Sequence, residues 1–287
     1  MEPPIHHHSQ VSCPRASICV LGGTNVGLAL AQSDHVQQGF TFETAHGRSP
    51  VIYFGEIEGT GFYHIPVHGA ADQASGAALA EHDGLLRTWS ALHELQVSDI
   101  LGGATAGAIN PAYTLGDWVV PNDFIDFNID RQRSIASILG PEASQLMPRY
   151  IPADDPVLSE ILFSAAQKHS PDVRVHAGGV IGQAAGGRFE TAAEIRMFQR
   201  LGIDLVTLNV ASEMAYARQL NINFASLIGI SNPAEGLGTW DWSTLTGLYP
   251  KFHAESIATY LDAVIRISQL PERRRIGDTL RVHPDFT

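Results

Sequence analysis

The stretch LGIDLVTLNVASEMAYARQLNINFASLIGISNPAEG (201–236) sets the fold class. Gly202 stops a preceding helix, and the apolar run at 204–209 reads as a buried strand. Residues 211–220 read as a helix and 224–230 as a second buried strand. Each strand leaves its apolar run on polar residues, at Asn209 in the first and at Ser231-Asn232 in the second. The chain here alternates strand, helix, strand, and both strand ends carry polar side chains suited to a pocket wall.

The alternation continues outward. ASICVLGG (16–23) reads as a buried strand ended by glycines. SPVIYFGEIEGTGFYHIPVHG (49–69) reads as a hairpin with Gly59 and Gly61 at its turn. Residues 79–95 look helical, VSDILGGATAG (97–107) is a strand breaking into a small-residue loop, and GDWVVPNDFIDF (116–127) is a further β segment. Residues 156–168 look helical, and VRVHAGGVIGQAAGG (173–187) is a strand with a glycine-rich loop. In ETAAEIRMFQRLG (190–202) Thr191 and Glu194 form a capping-box pattern, and Ile195, Phe198 and Leu201 mark one helix face. A last helix covers about 252–268, with Ile257, Leu261, Val264 and Ile265 on its apolar stripe. No linker or internal repeat divides this run. The fold expected is α/β, a single domain over 16–270 with a mixed central β-sheet and helices on both faces. A disordered lead (1–15) and a polar tail (271–287) flank it.

Composition narrows the function classes. The 287 residues are 44% hydrophobic and 17% charged, an ordinary globular balance that needs no staples. Cys13 and Cys19 have neither CxxC nor zinc spacing, and Cys19 reads as a buried thiol. A net charge of −12 disfavours nucleic acid and anionic membrane as partners. No apolar run approaches the ~18–20 residues of a membrane span, and MEPPIHHHSQVSCPR lacks the apolar centre of a secretory signal. His6 to His8 read as incidental. No HExxH, Ser/His/Asp motif or interpretable carboxylate pair appears, so neither a metal nor a cofactor is expected.

In such folds ligands sit at the strand C-terminal ends. Thr24 in LGGTN can donate to an anion while its glycines admit close backbone approach. GATAG (103–107) offers backbone N–H groups, or simply tight packing. In GGRFE (186–190), Phe189 is suited to stack on a flat base and Glu190 to accept from a ring N–H; taken alone, a hydrophobic staple and a favourable helix-dipole charge explain them slightly better. Asn232 can donate and accept at once, as a purine N7/O6 edge requires, or it is a turn-forming Asn-Pro. His253, near a helix start, is uninformative alone.

Taken together, ICVLGGTN (18–25), VHG (67–69), ILGGATAGAINPAYTLGDWVVPNDFIDF (100–127), GGRFETAAEIR (186–196), LGIDLVTLNVASEMAYARQLNI (201–222) and IGISNPAEG (228–236) resemble the trimeric purine nucleoside phosphorylase and methylthioadenosine phosphorylase family, over about residues 17–267. The resemblance implies pentosyl transfer, in which the bond from ribose C1′ to a purine nitrogen is broken with phosphate as co-substrate. It implies that Phe189 packs on sugar and base, Glu190 accepts from the purine, Leu208 (in place of the usual Met) lies beneath the ribose, and His253 meets the 5′-hydroxyl. Asn232 and His68 take the catalytic roles in this likeness. Asn232 fits a 6-oxopurine, where relatives preferring 6-aminopurines carry Asp. Thr24, His68, Ala104, Thr105 and Asn209 fall at phosphate-binding positions. A cytoplasmic homotrimer working in purine salvage is also implied.

The chain departs from that pattern at the phosphate side. Val67 stands where the family has Arg, Asn209 where it has Thr or Ser, and Gly187 and Ser212 where it has Pro. Losing one guanidinium costs ~1.5–3 kcal/mol, about one to two decades in phosphate affinity. Three readings follow. One is a phosphorylase with a compensated site, drawing charge from Arg48, Arg131 or Arg133. Another is a nucleoside hydrolase in which His68 or Glu213 orients water. The third is a non-catalytic nucleoside-binding protein. The resemblance favours the first.

Overall fold

The computed structural model describes residues 3–7, 13–67, 82–127, 134–141, 145–272 and 274–282. Strands β1 (Ile5–His7), β2 (Ile18–Gly22) and β3 (Val36–Thr41) come first, then a two-strand ribbon of β4 (Glu43–Thr44) and β5 (Gly47–Arg48). The expected hairpin forms from β6 (Ile52–Ile57) and β7 (Thr60–Pro66). Its turn is Glu58-Gly59, both at positive φ, a conformation that favours glycine. Gly61 instead lies inside β7, opposite Glu56. Helix α1 (His82–Glu94) leads to β8 (Asp99–Ala108), and the expected β segment divides into β9 (Trp118–Val120) and β10 (Asp123–Asp126). Then come β11 (Met147–Pro148), α2 (Pro156–His169), β12 (Val175–Ala177), β13 (Val180–Gln183), α3 (Ala192–Arg200), β14 (Leu205–Thr207), α4 (Val210–Gln219) and β15 (Asn223–Pro233). The chain closes with α5 (Trp242–Gly247), α6 (Tyr249–Ser268), α7 (Gly277–Leu280) and β16 (Arg281–Val282).

β8 organises the mixed sheet. Its first half pairs in parallel with β2, its last two residues pair antiparallel with β14, and its whole length pairs in parallel with β15. The path runs β1-β3-β6-β7-β2-β8-β14-β13-β10, with β9 and β12 attached through β15. β2 is buried throughout, as a strand covered on both faces must be. Alternate residues feed two cores. Cys19, Leu21, Ile100 and Phe224 join Trp89 of α1 and Met214 of α4 on one face. Val20, Leu101 and Leu227 join Leu158 and Leu162 of α2 and Phe252 and Val264 of α6 on the other. Both cysteines are free and buried, and burial pushes the Cys19 thiol upward.

Some expectations need correction. Ile5–His7, placed in a disordered lead, forms a strand parallel to β3. Part of the polar tail folds as α7 and β16, and β16 pairs with β11. Leu201 is exposed just past the end of α3, where only Ile195 and Phe198 are buried. Among the described residues no helix is long and apolar enough to cross a membrane.

Candidate active site

At the strand C-terminal ends lies a cavity of about 200 Å³, walled by residues scattered across the sequence. Thr24 comes from the loop after β2, Ala104 to Gly107 from β8, Val206 to Asn209 from β14 and the start of α4, and Ser231-Asn232 from β15. Phe189 and Glu190 precede α3, and Trp242, Leu245 and Tyr249 come from α5 and α6. A larger cavity of about 730 Å³ opens at the opposite end of the sheet, around Cys13 to Ser17 and Gly59 to Gly61. It contains none of the strand-end residues.

The Phe189-Glu190 corner is fixed locally. Thr191 accepts from the Glu194 backbone N–H, and the Glu194 carboxylate accepts from Thr191 N, completing the capping box. The same carboxylate accepts both arms of the Arg188 guanidinium, at 2.9 and 2.8 Å. Arg188 and the Thr191 N–H hold the Glu194 carboxyl down at about 2. Glu190 is only 8% exposed, and burial raises its carboxyl above the ordinary carboxylate value. Phe189 remains 42% exposed and meets Trp240 and Trp242 edge-on or tilted at centroid distances of 5.2 and 5.8 Å.

Asn232 owes its place to a β-bulge. The β15–β8 register shifts between Ile230 and Asn232, which re-aims the strand end. Ser231 Oγ donates to Asn232 Oδ1 at 2.8 Å, and Asn232 Nδ2 donates to the Pro233 carbonyl at 2.9 Å. The amide is thereby oriented before any ligand arrives.

Asn209 occupies the N-cap of α4, yet its side chain caps nothing. Its Nδ2 donates to Glu213 Oε1 at 2.9 Å, with both residues 4% exposed. The helix start is pinned from behind, where Ser212 N donates to Gln183 Oε1 and Gln183 Nε2 meets Ser212 Oγ. Across the cavity, the Thr24 loop lies directly on β8. A Cβ on Gly23 would come within 2.0 Å of the Gly103 carbonyl oxygen, so only glycine allows this approach.

Thr24, Ala104, Thr105, Phe189, Glu190, Leu208, Asn209 and Asn232 all border the one cavity. His253 stands beside it. Its Nε2 lies 3.3 Å from the Thr24 carbonyl oxygen, and its ring stacks on Tyr249. Val67 is partly buried against the core, its N–H bonded to Gly22 O. Arg48 is exposed on β5, paired with Glu43 and absent from the lining. His68, Arg131 and Arg133 lie outside the described residues. No lysine or arginine is among the described residues of the lining.

Sequence reasoning missed Trp242, Leu245 and Tyr249. The available signal was Asp241, which caps α5 by accepting from Thr244 N at 2.8 Å.

The phosphorylase superfamily model matches residues 17–266. A protein of Xylella fastidiosa named as a probable S-methyl-5′-thioinosine phosphorylase is 34% identical over 224 residues, covering 77% of this chain and 90% of its own. A probable 6-oxopurine nucleoside phosphorylase of Moorella thermoacetica is 29% identical over 223 residues, covering 77% of this chain and 81% of its own. The crystal structure of a methylthioadenosine phosphorylase from an antarctic soil metagenomic library superposes with a TM-score of 0.78 at 20% identity, covering 94% of each chain.

Proposed function

Since the chain belongs to the phosphorylase superfamily, we propose that it cleaves the N-glycosidic bond of a purine nucleoside, with a 6-oxopurine base, by phosphorolysis. The observation that carries this reading is the single cavity in which an aromatic, an acid and an amide meet a wall of hydroxyl, amide and backbone groups. Glu190 accepts from the ring N–H of a 6-oxopurine, and the oriented amide of Asn232 donates to its N7/O6 edge. Leu208, Phe189, Leu245 and Tyr249 enclose the sugar. Thr24, the end of β8 and Asn209 face the acceptor.

In the reaction a phosphate oxygen bonds to C1′ as the C1′–N9 bond breaks, and the bond's electron pair leaves with the purine. The barrier lies in the cationic sugar and the anionic base. Asn232 stabilises the charge developing on the base, a contribution of about 10²–10³-fold for a well-placed donor. Holding phosphate on the face of C1′ opposite the base supplies proximity. His68 is assigned to the acceptor side by resemblance alone. The family likeness also supports a cytoplasmic homotrimer, whose assembly sedimentation equilibrium would read directly.

The test is hypoxanthine release from inosine with and without phosphate. Phosphorolysis requires release only when phosphate is present, with ribose 1-phosphate as co-product. Release indifferent to phosphate, yielding free ribose, would make the enzyme a hydrolase, a result consistent with a lining that shows no lysine or arginine among its described residues. Saturable inosine binding without release would make it a binding protein.

A further inference from the structure

Beneath the acceptor side of the cavity, helix α6 turns a polar stripe toward the Thr24 loop. His253, Ser256 and Tyr260 follow one another at i, i+3 and i+7, so they share one face of the helix. Beside them Phe252, Leu261 and Val264 lie in the core, with Thr259 also buried. His253 Nε2 contacts the Thr24 carbonyl at 3.3 Å. Asn25, wholly buried, directs its Nδ2 to Ser256 Oγ at 3.2 Å, Tyr260 Oη at 2.8 Å and the Leu227 carbonyl of β15 at 3.3 Å. Tyr260 Oη in turn donates to the Gly102 carbonyl of β8 at 2.8 Å. A Cβ on Gly103 would sit 2.2 Å from Tyr260 Oη and 2.5 Å from the Asn25 amide, so β8 keeps a glycine where this cluster touches it.

Polar groups this deeply buried cost stability unless they find partners; the Asn25 amide nitrogen and the Tyr260 hydroxyl are partnered, while Asn25 Oδ1 is left without one among the described residues. The network ties the residue after Thr24 to α6, to β15 and to the middle of β8, just before the stretch of that strand that lines the cavity. We propose that Asn25, Tyr260 and His253 are positioning residues that set Thr24 against the acceptor, with His253 acting through the Thr24 carbonyl. The inference rests on the nucleoside-and-phosphate reading of this cavity. With the Nε2–H tautomer donating to Thr24, Nδ1 stays an acceptor, and the comparison of inosine with 5′-deoxyinosine separates a role through Thr24 from a contact with the 5′-hydroxyl.

The experiment is steady-state kinetics with inosine and with 5′-deoxyinosine, phosphate varied, on wild type, Asn25→Ala, Tyr260→Phe, His253→Leu and His253→Gln. Loss of one network bond is expected to raise the phosphate KM about five- to tenfold in the first three variants, leaving either nucleoside's KM within about twofold. His253→Gln, whose Nε2 can reach the same carbonyl, is expected to keep a phosphate KM near that of wild type. A merely structural role would lower thermal stability without splitting the two KM values. Should Asn25→Ala fail to fold, Tyr260→Phe, which deletes a single hydroxyl, carries the test. Wild-type phosphate KM in Tyr260→Phe overturns the inference. So does a His253→Leu defect that disappears with 5′-deoxyinosine, because that result assigns His253 to the 5′-hydroxyl. A wild-type enzyme indifferent to phosphate overturns the proposed function itself, and this is read before any variant is made.

Discussion

Glu190 concentrates the conflict between stability and function. It is nearly buried, and Arg188, whose charge acts on it, is committed to Glu194. Burial raises its folded carboxyl above the unfolded value, so the folded state binds its proton more tightly. The stability this group contributes is fully present below the unfolded carboxylate value and is lost as pH rises through the raised folded one. Above that raised folded value the site holds a buried carboxylate, whose cost a ring N–H of the ligand relieves. Glu190→Gln removes that cost. The variant is expected to melt above wild type at pH 7, with the gap closing toward pH 4, while kcat/KM for a 6-oxopurine nucleoside falls about 10–100-fold through loss of a charged acceptor. Melting curves across pH 4–8 read the first effect and initial rates the second. A gap that persists unchanged in acid would remove the carboxylate from this account.

The junction before α3 shows what a local signal can specify. Thr191, Glu194 and Arg188 lie within seven residues, so their capping box and ion pair need nothing from elsewhere in the chain. Thr191→Ala is expected to cost about 1 kcal/mol of stability and to raise the nucleoside KM, because Phe189 and Glu190 lose their anchored entry into the helix; the phosphate KM should stay near wild type. Equal changes in both KM values would show that the junction does not serve the base selectively. The same locality explains why this helix was legible in the sequence. β15 was legible only to Ile230, since the bulge that carries Asn232 into the cavity is set by its register on β8, more than a hundred residues away. α5 escaped notice because six residues are too few to show a period. Leu201 fitted the apolar face of α3 on the helical wheel, but the helix ends at Arg200 and leaves it in solvent.

At the scale of the whole molecule, alternating strands and helices announced an α/β sheet, and the polar strand ends announced a site. What they did not reveal was the pairing of β8 with β2, β14 and β15, which gathers Thr24, Asn209 and Asn232 around one cavity. Pairing at such separations depends on how whole faces pack, which no short window encodes. Charge, by contrast, was readable from the start and bears on the acceptor. The chain carries a net charge of −12, and the described lining of the cavity offers no lysine or arginine. A phosphate anion therefore approaches against the protein's field, whereas a neutral nucleoside feels none of it. The Debye length falls from about 30 Å at 0.01 M salt to about 8 Å at 0.15 M, so added salt shields this repulsion. Raising ionic strength across that range with an inert salt is expected to increase kcat/KM for phosphate roughly two- to threefold and leave kcat/KM for the nucleoside unchanged. An enzyme that draws phosphate in through a cationic funnel would respond with the opposite sign, and a fall in phosphate kcat/KM with salt would place such a funnel at the mouth of this cavity.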